Sequence, residues 1–275
     1  MRSMRACING ATTRPYTLEE DLAAASKAGF PLVEIWSGKL GPYIEQHGVH
    51  GLAADLKARG LGVAAICPYS IRLFGDWRSG LAPIERASEI AAEVGSPLLL
   101  VCPDAPSDTE AGPDVWERAG ERARAYAEIV AGYGLRLAIE PLGLHRFIPG
   151  AKQGLQLLQA ANHPALGLMM DTFHYYKSGV TWEEIRAVPA AMWTILHIND
   201  VPEGDPRSLN DPDRLYPGEG ILPLADTLRY FQSIGFQGGV SVEVFRKEYY
   251  ELPIDEINRR AYAGVTGVLR AIGEA

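Results

Sequence analysis

One alternation runs the length of this chain: a short run rich in Val, Ile and Leu, then a longer segment in which apolar residues recur at helical spacing. The runs are ACINGA (6–11), LVEIW (32–36), GVAAIC (62–67), LLLVC (98–102), LRLAIE (135–140), LGLMMD (166–171), TILHIN (194–199) and GVSVEVF (239–245). Between them lie the helical patterns LEEDLAAASKAG, LAADLKARG, PIERASEIAAEVG, DVWERAGERARAYAEIVAGYG, GLQLLQAA and LADTLRYFQSIG, and DEINRRAYAGVTGVLRAIG closes the chain. Continuous apolar runs fit parallel strands covered on both faces, and parallel strands need crossover helices. Gly29, Gly60, Gly95, Gly134 and Gly235 each fall where a helix would stop in a left-handed cap.

Eight such units within 275 residues predict a single-domain (β/α)8 barrel, a TIM barrel, over 1–275. The competing arrangement is an open, doubly wound sheet. That fold more often carries a Gly-rich dinucleotide turn after its first strand, whereas NGATTRPY stands here without GxGxxG. No Ser/Gly-rich linker or low-complexity tract interrupts the alternation.

Composition narrows the function. The 26 basic and 34 acidic residues give a net charge of −8, which opposes approach to a polyphosphate backbone, so nucleic acid is not an expected partner. No stretch reaches the length of a membrane-crossing apolar helix, and MRSMRACING lacks the features of a secretory signal. The expected location is cytoplasmic, without a membrane partner. Cys7, Cys67 and Cys102 are odd in number and widely spaced in apolar surroundings, so they are expected to be core thiols.

A closed parallel barrel brings the C-terminal ends of its strands to one mouth, whatever their separation in sequence. Glu140 ends the fifth run, Asp171 the sixth, His197 lies in the seventh and Glu243 in the eighth. Their separations of 31, 26 and 46 residues follow the repeat, with a longer insertion after the seventh strand. Three carboxylates crowded into a low-dielectric mouth repel one another, and a divalent cation resolves the repulsion. Three oxygen donors and one imidazole suit a hard to borderline ion. Mn²⁺ is the first expectation, with Zn²⁺, Co²⁺ and Mg²⁺ as alternatives. Glu34 and Trp36, in LVEIW, are expected on the substrate side of the same mouth, with Tyr69 and Phe173 as further wall residues.

At these positions LAIEPLG, MMDTFH, LHIND, RLYPGEG and VSVEVFRKEYY resemble the xylose-isomerase-like superfamily of sugar isomerases and epimerases, and the inosose (2-keto-myo-inositol) isomerases most. The resemblance is specific from about Leu135 onward and looser before it. It implies that Glu140, Asp171, His197 and Glu243 are the metal ligands, and that His174 and Arg214 hold substrate hydroxyls. The similar ketose 3-epimerases carry a second glutamate where this chain has Arg146, which tells against a plain free-ketose epimerase.

The chemistry expected is proton transfer beside a carbonyl. A cation that grips the carbonyl oxygen and a neighbouring hydroxyl stabilises a cis-enediolate, and Glu140 and Glu243 serve as base and acid. The loop after the seventh strand, DVPEGDPRSLNDPDRLYPGEG, is long and acidic, which favours a neutral keto-polyol or ketose over a sugar phosphate. It is also expected to act as a lid. A lyase on the same scaffold, a dehydratase of inosose or of 3-dehydroshikimate, begins with the same proton abstraction and stays open. A nuclease similar to endonuclease IV is disfavoured, because CPY and CPD stand at the third and fourth strand ends where that family adds histidines. A non-catalytic sugar-binding barrel is the remaining alternative, and a homo-oligomeric contact through the C-terminal helix and FRKEYYELP stays open.

Overall fold

The computed structural model describes residues 4–274, so 1–3 and 275 of the expected domain lie outside the described residues. The chain begins with β1 (Arg5–Asn9), α1 (Leu18–Ala28), β2 (Leu32–Trp36), α2 (Ser37–Arg59), β3 (Gly62–Ile71) and α3 (Leu81–Glu93). It continues through β4 (Leu98–Pro103), α4 (Val115–Gly132), β5 (Arg136–Ile139), α5 (Ala151–Ala161) and β6 (Leu166–Asp171). Two short helices follow, α6 (Thr172–Ser178) and α7 (Trp182–Ala187), then β7 (Trp193–Ile198), α8 (Leu224–Ser233), β8 (Gly239–Val242), α9 (Lys247–Tyr250) and α10 (Ile254–Ala271). The eight strands pair in sequence order, all parallel, and β1 closes the ring by pairing with both β2 and β8. This is the (β/α)8 barrel that the alternation predicts.

Two apolar layers follow from the two faces of each strand. Ile8, Val33, Ile35, Leu99, Val101, Leu137, Leu168, Leu196 and Val240 point outward into the core shared with the helices. The alternate residues Cys7, Leu32, Ala65, Leu100, Ala138, Met169 and Ile195 fill the inside of the ring. Because side chains repeat every two residues along a strand, the next inward position beyond this plug is Asn9, Glu34, Cys67, Cys102, Glu140, Asp171 and His197 in turn. Polar residues at strand ends therefore converge because apolar ones two positions earlier are packed inside.

The five glycines expected to stop helices all adopt positive φ. At Gly29 (φ 95°) and Gly60 (φ 69°) the amide also donates back to the last turn, to Ala25 and Ser26 and to Leu56 and Lys57 respectively. Thr17 caps α1, with Glu20 returning the bond to complete a capping box.

The element boundaries differ from the sequence reading, most visibly in three regions. The helix expected only over LAADLKARG begins at Ser37 and is broken at Gly48 (φ 70°, ψ 169°), because Pro42 and four glycines weaken its periodicity. The segment between β6 and β7 holds α6 and α7, of seven and six residues, too short to present a helical repeat. The eighth strand leaves its ladder after Val242, so Glu243 stands just beyond the paired residues. Among the described residues no helix is long and apolar enough to cross a membrane.

α4 and α5 approach closely at Gly120, where an added Cβ would lie 2.5 Å from the backbone carbon of Ala160. Backbone cannot yield as a flexible side chain can, so Gly120→Ala is expected to cost about 1–3 kcal/mol, the usual range for overpacking. Urea denaturation checks this, and a loss below about 0.5 kcal/mol would show that the helices separate without strain.

Candidate metal centre and active site

Glu140, Asp171, His197 and Glu243 come together. Each is buried, and one donor atom from each lies within 4.8 Å of the others. Asp171 and His197 are register partners on adjacent strands. The His197 ring turns Nδ1 toward Glu243 Oε2 at 3.1 Å, Asp171 Oδ2 at 3.6 Å and Glu140 Oε1 at 3.9 Å. The donor set is three carboxylate oxygens and one imidazole nitrogen, which fits a divalent cation.

The electrostatics point the same way. Burial first, then the negative charge of Glu243, pushes the Glu140 carboxyl up to about 8. Burial also works against charge on Asp171, but Arg214, His174 and His197 outweigh it and hold that carboxyl well below the usual range. His197 stays well above its ordinary value despite burial, because Glu243 and Glu34 face its two nitrogens. The group is short of positive charge, and the deficit appears at Glu140.

Arg214 is the nearest cation, and it is 1 % exposed. Its Nη1 donates to Asp171 Oδ2 at 2.7 Å and Glu243 Oε2 at 2.9 Å. Nη2 donates to Asp211 Oδ1 at 2.8 Å and to His174 Nε2 at 3.1 Å, and Nε donates to Asp211 Oδ1 at 3.2 Å. All five N–H groups of a guanidinium are thereby used. Arg214 ties the carboxylates of Asp171 and Glu243 together, between the rings of Phe173 and Phe245, and it also reaches the cavity where it is expected to meet substrate. Because the arginine donates to Nε2, His174 carries its proton on Nδ1, and burial holds the ring below its ordinary pKa.

The loop expected to act as a lid is anchored over its second half. Asp200 pairs with Leu215 in an antiparallel bridge, and its carboxylate accepts from the amides of Val201, Gly218 and Leu222. Tyr216 stacks on Tyr249 with ring centroids 4.1 Å apart. These contacts deliver Arg214 to the centre as a fixed element.

Above the four residues lies a cavity of about 320 Å³. Glu140, Glu243, His174 and Arg214 reach it together with Cys102, Lys177, Asn210 and Asp211, and Trp36, Phe173 and Phe245 form apolar wall. Trp36 meets Phe245 edge-on, with ring centroids 6.0 Å apart. Tyr69 does not line this space, and Arg146 pairs at the surface with Asp108 at 2.8 Å.

Glu34 requires a correction. Expected to face the substrate, it does not line the cavity, and its carboxylate lies fully buried against His197 Nε2 at 2.8 Å. Its carboxylate is turned under the His197 ring, and it is Trp36, two residues further along the strand, that reaches the rim. Cys102 also departs from expectation. It is a half-buried cavity residue whose thiol donates to Glu140 Oε2 at 3.3 Å, whereas Cys7 and Cys67 are buried core thiols. Sequence reasoning missed Asn9, which donates to Glu243 Oε1 at 3.1 Å, and Asn199, which donates to Asp171. The strand-end rule that finds the carboxylates also reaches both asparagines when it is applied to neutral side chains.

Residues 22–266 match the family described as "Xylose isomerase-like TIM barrel". The chain belongs to that family. It is 26 % identical over 264 residues to an inosose isomerase of Bacillus velezensis, covering 94 % of each. It is 30 % identical over 245 residues to a 3-dehydroshikimate dehydratase of Pseudomonas aeruginosa, covering 86 % of this chain but 37 % of that protein. The crystal structure of IOLI protein with a bound zinc atom superposes with a TM-score of 0.87 at 25 % identity, covering 97 % of this chain and 98 % of that one. The curated relatives are named enzymes, and this chain is an enzyme of their family, with a buried cluster suited to a divalent ion.

A ligand that binds only the folded state stabilises it, by about 2.7 kcal/mol at a hundredfold excess over Kd. Added Mn²⁺ or Zn²⁺ is therefore expected to raise the melting temperature of the parent chain. Asp171→Asn should flatten that rise, while the Asn side chain keeps the cap that Asp171 Oδ1 gives to the amides of Phe173 and His174. Differential scanning calorimetry with and without metal reads both outcomes; an undiminished rise in the variant would remove Asp171 from the ligand set.

Proposed function

We propose that this chain is a divalent-metal-dependent isomerase or epimerase of a neutral keto-polyol or ketose, of the inosose isomerase type. The observation that carries this reading is the convergence of Glu140, Asp171, His197 and Glu243 within 4.8 Å beneath an aromatic-walled cavity. Those four side chains would hold the ion. When bound, it supplies positive charge that stabilises an oxyanion developing on a substrate carbonyl, an effect of roughly several kcal/mol. Mn²⁺ is the ion proposed first, and the zinc of the similar solved structure keeps Zn²⁺ as the main alternative.

Glu140 and Glu243 are the acid and base. Both line the cavity, and Glu243 is steadied by Asn9 and Arg214 while Cys102 steadies one oxygen of Glu140. One glutamate removes the proton from the carbon beside the carbonyl, leaving an enediolate. Passage of the hydroxyl proton to the former carbonyl oxygen and return of a proton to the former carbonyl carbon move the carbonyl by one position; return of the proton to the opposite face of the original carbon inverts it. Trp36 and Phe245 offer a surface for the C–H face of a sugar-like ring. Lining carboxylates Glu140, Asp211 and Glu243 outnumber lining cations Lys177 and Arg214, which favours a neutral substrate over a phosphorylated one. His174 stands beside Glu140, with Nε2 at 3.8 Å from its Oε1, and contacts the substrate from that side.

A second reading is a dehydratase, supported by the 30 % identity to the Pseudomonas aeruginosa enzyme. It begins with the same proton abstraction and ends with loss of a β-hydroxyl.

Incubation with Mn²⁺ and a panel of inososes, ketoses and 3-dehydroshikimate in D₂O, followed by NMR, tests both. Deuterium beside a carbonyl in a product of unchanged mass apart from the label supports isomerisation, loss of water supports the dehydratase, and no exchange with any substrate rejects the enediolate. Glu140→Gln is expected to lower turnover by about 10²–10⁴-fold, with the circular dichroism spectrum unchanged. Near-parental turnover of the metal-loaded variant would remove Glu140 as an acid–base group.

A further inference from the structure

Glu34 is neither one of the four clustered residues nor part of the cavity wall, yet it is built into the centre from beneath. Its side chain has no solvent exposure, and one oxygen, Oε2, accepts from His197 Nε2 at 2.8 Å and from Ser241 Oγ at 2.7 Å. Ser241 is the register partner of His197 on the neighbouring strand, so the barrel itself sets the three side chains against one another. Among the described residues His197 and Ser241 are the side chains that hydrogen-bond Glu34, both at Oε2, and Oε1 has no hydrogen-bond partner.

A buried carboxylate without a Lys or Arg partner is costly to keep. A methyl-bearing or amide side chain would fill the same space at lower cost, so the arrangement asks for a reason. The His197 ring supplies one. Its Nε2 faces Glu34 while Nδ1 faces Glu140, Asp171 and Glu243 together. An imidazole that donates Nε2–H to a carboxylate presents its Nδ1 lone pair on the opposite side, fixed in orientation and made more basic by the charge behind it.

We propose that Glu34 is a positioning residue for the metal centre: with Ser241 aiming its carboxylate, it holds His197 as the Nε2–H tautomer and so sets the affinity of the four-residue cluster for its dication. This rests on the metal centre proposed above. It does not depend on which substrate is turned over. Glu34 touches neither substrate nor ion and acts through His197 alone.

The test is titration of the whole chain with Zn²⁺ and with Co²⁺ against a chromophoric chelator, for the parent, Glu34→Gln, Glu34→Asp and Ser241→Ala. Glu34→Gln is expected to weaken binding about 10–100-fold and to change the visible d–d spectrum of bound Co²⁺. Glu34→Asp, which restores the charge on a shorter stem, should recover part of the affinity, and Ser241→Ala should lose less than Glu34→Gln. A purely structural role would shift the melting temperature and leave metal affinity and the Co²⁺ spectrum at parental values, and that result overturns the proposal. If Glu34→Gln fails to fold, Ser241→Ala decides: weaker metal binding supports the proposal and parental binding rejects it. Failure of the isomerase reading would leave these titrations intact, whereas a parent chain that takes up neither ion overturns the metal centre and this role with it.

Discussion

Negative charge held away from water organises this structure. Glu34, Glu140, Asp171 and Glu243 are all buried around the imidazoles of His174 and His197 and the single guanidinium of Arg214, so carboxylates outnumber basic partners. Removing a charge from water costs several kcal/mol unless a partner and hydrogen bonds replace the solvent. The structure meets most of that demand with fixed donors: Asn9 and Arg214 on Glu243, Asn199 and the α6 amides on Asp171, Ser241 on Glu34. Glu140 is left with a thiol and distant imidazoles, and it is the carboxyl pushed up to about 8. A dication held by the four donors would offset that imbalance.

Distant parts of the chain serve the same demand. Asp200, just past β7, spends its carboxylate on three amides of the loop that follows. That folds an otherwise long excursion back toward the mouth and sets Arg214 down on Asp171 and Glu243. The Tyr216–Tyr249 stack ties the same loop to the segment after β8. An arginine supplied from an anchored loop has little freedom to leave, so the mouth is preorganised, and positioned charges do the most work where no reorganisation is needed during reaction.

Much of this was legible in the sequence, for a physical reason. The alternation gives the barrel, the barrel gives one mouth, and the two-residue period of each strand puts Glu140, Asp171 and His197 two positions beyond the inward-facing Ala138, Met169 and Ile195. What stayed hidden needed either depth or a loop path. Period two shows that Glu34 points inward, but only closure of the ring, with Glu34 opposite Asn9 and Ser241 opposite His197, shows that it lies under the imidazole instead of beside the substrate. Arg214 was legible as a mouth residue, yet its use of every N–H on protein partners depends on a bridge between Asp200 and Leu215 that no local pattern encodes. The helices over 172–187 are too short to show a period, and Cys102 reads as core until Glu140 is placed beside it.

The third and fourth strands bring thiols to the centre. Their inward-facing ends stand beside the clustered carboxylates. Here those places hold Cys67, which accepts from Asn9 at 3.1 Å, and Cys102, which donates to Glu140 at 3.3 Å. Burial raises both thiols well above their ordinary pKa, with nearby glutamates adding to the effect. In that state the two thiols serve as hydrogen-bonding neighbours of Asn9 and Glu140. Among the described residues the four-member cluster is the single group of its kind. The four clustered donors lie beneath a cavity whose lining carboxylates outnumber its cations, so the whole mouth is rich in negative charge.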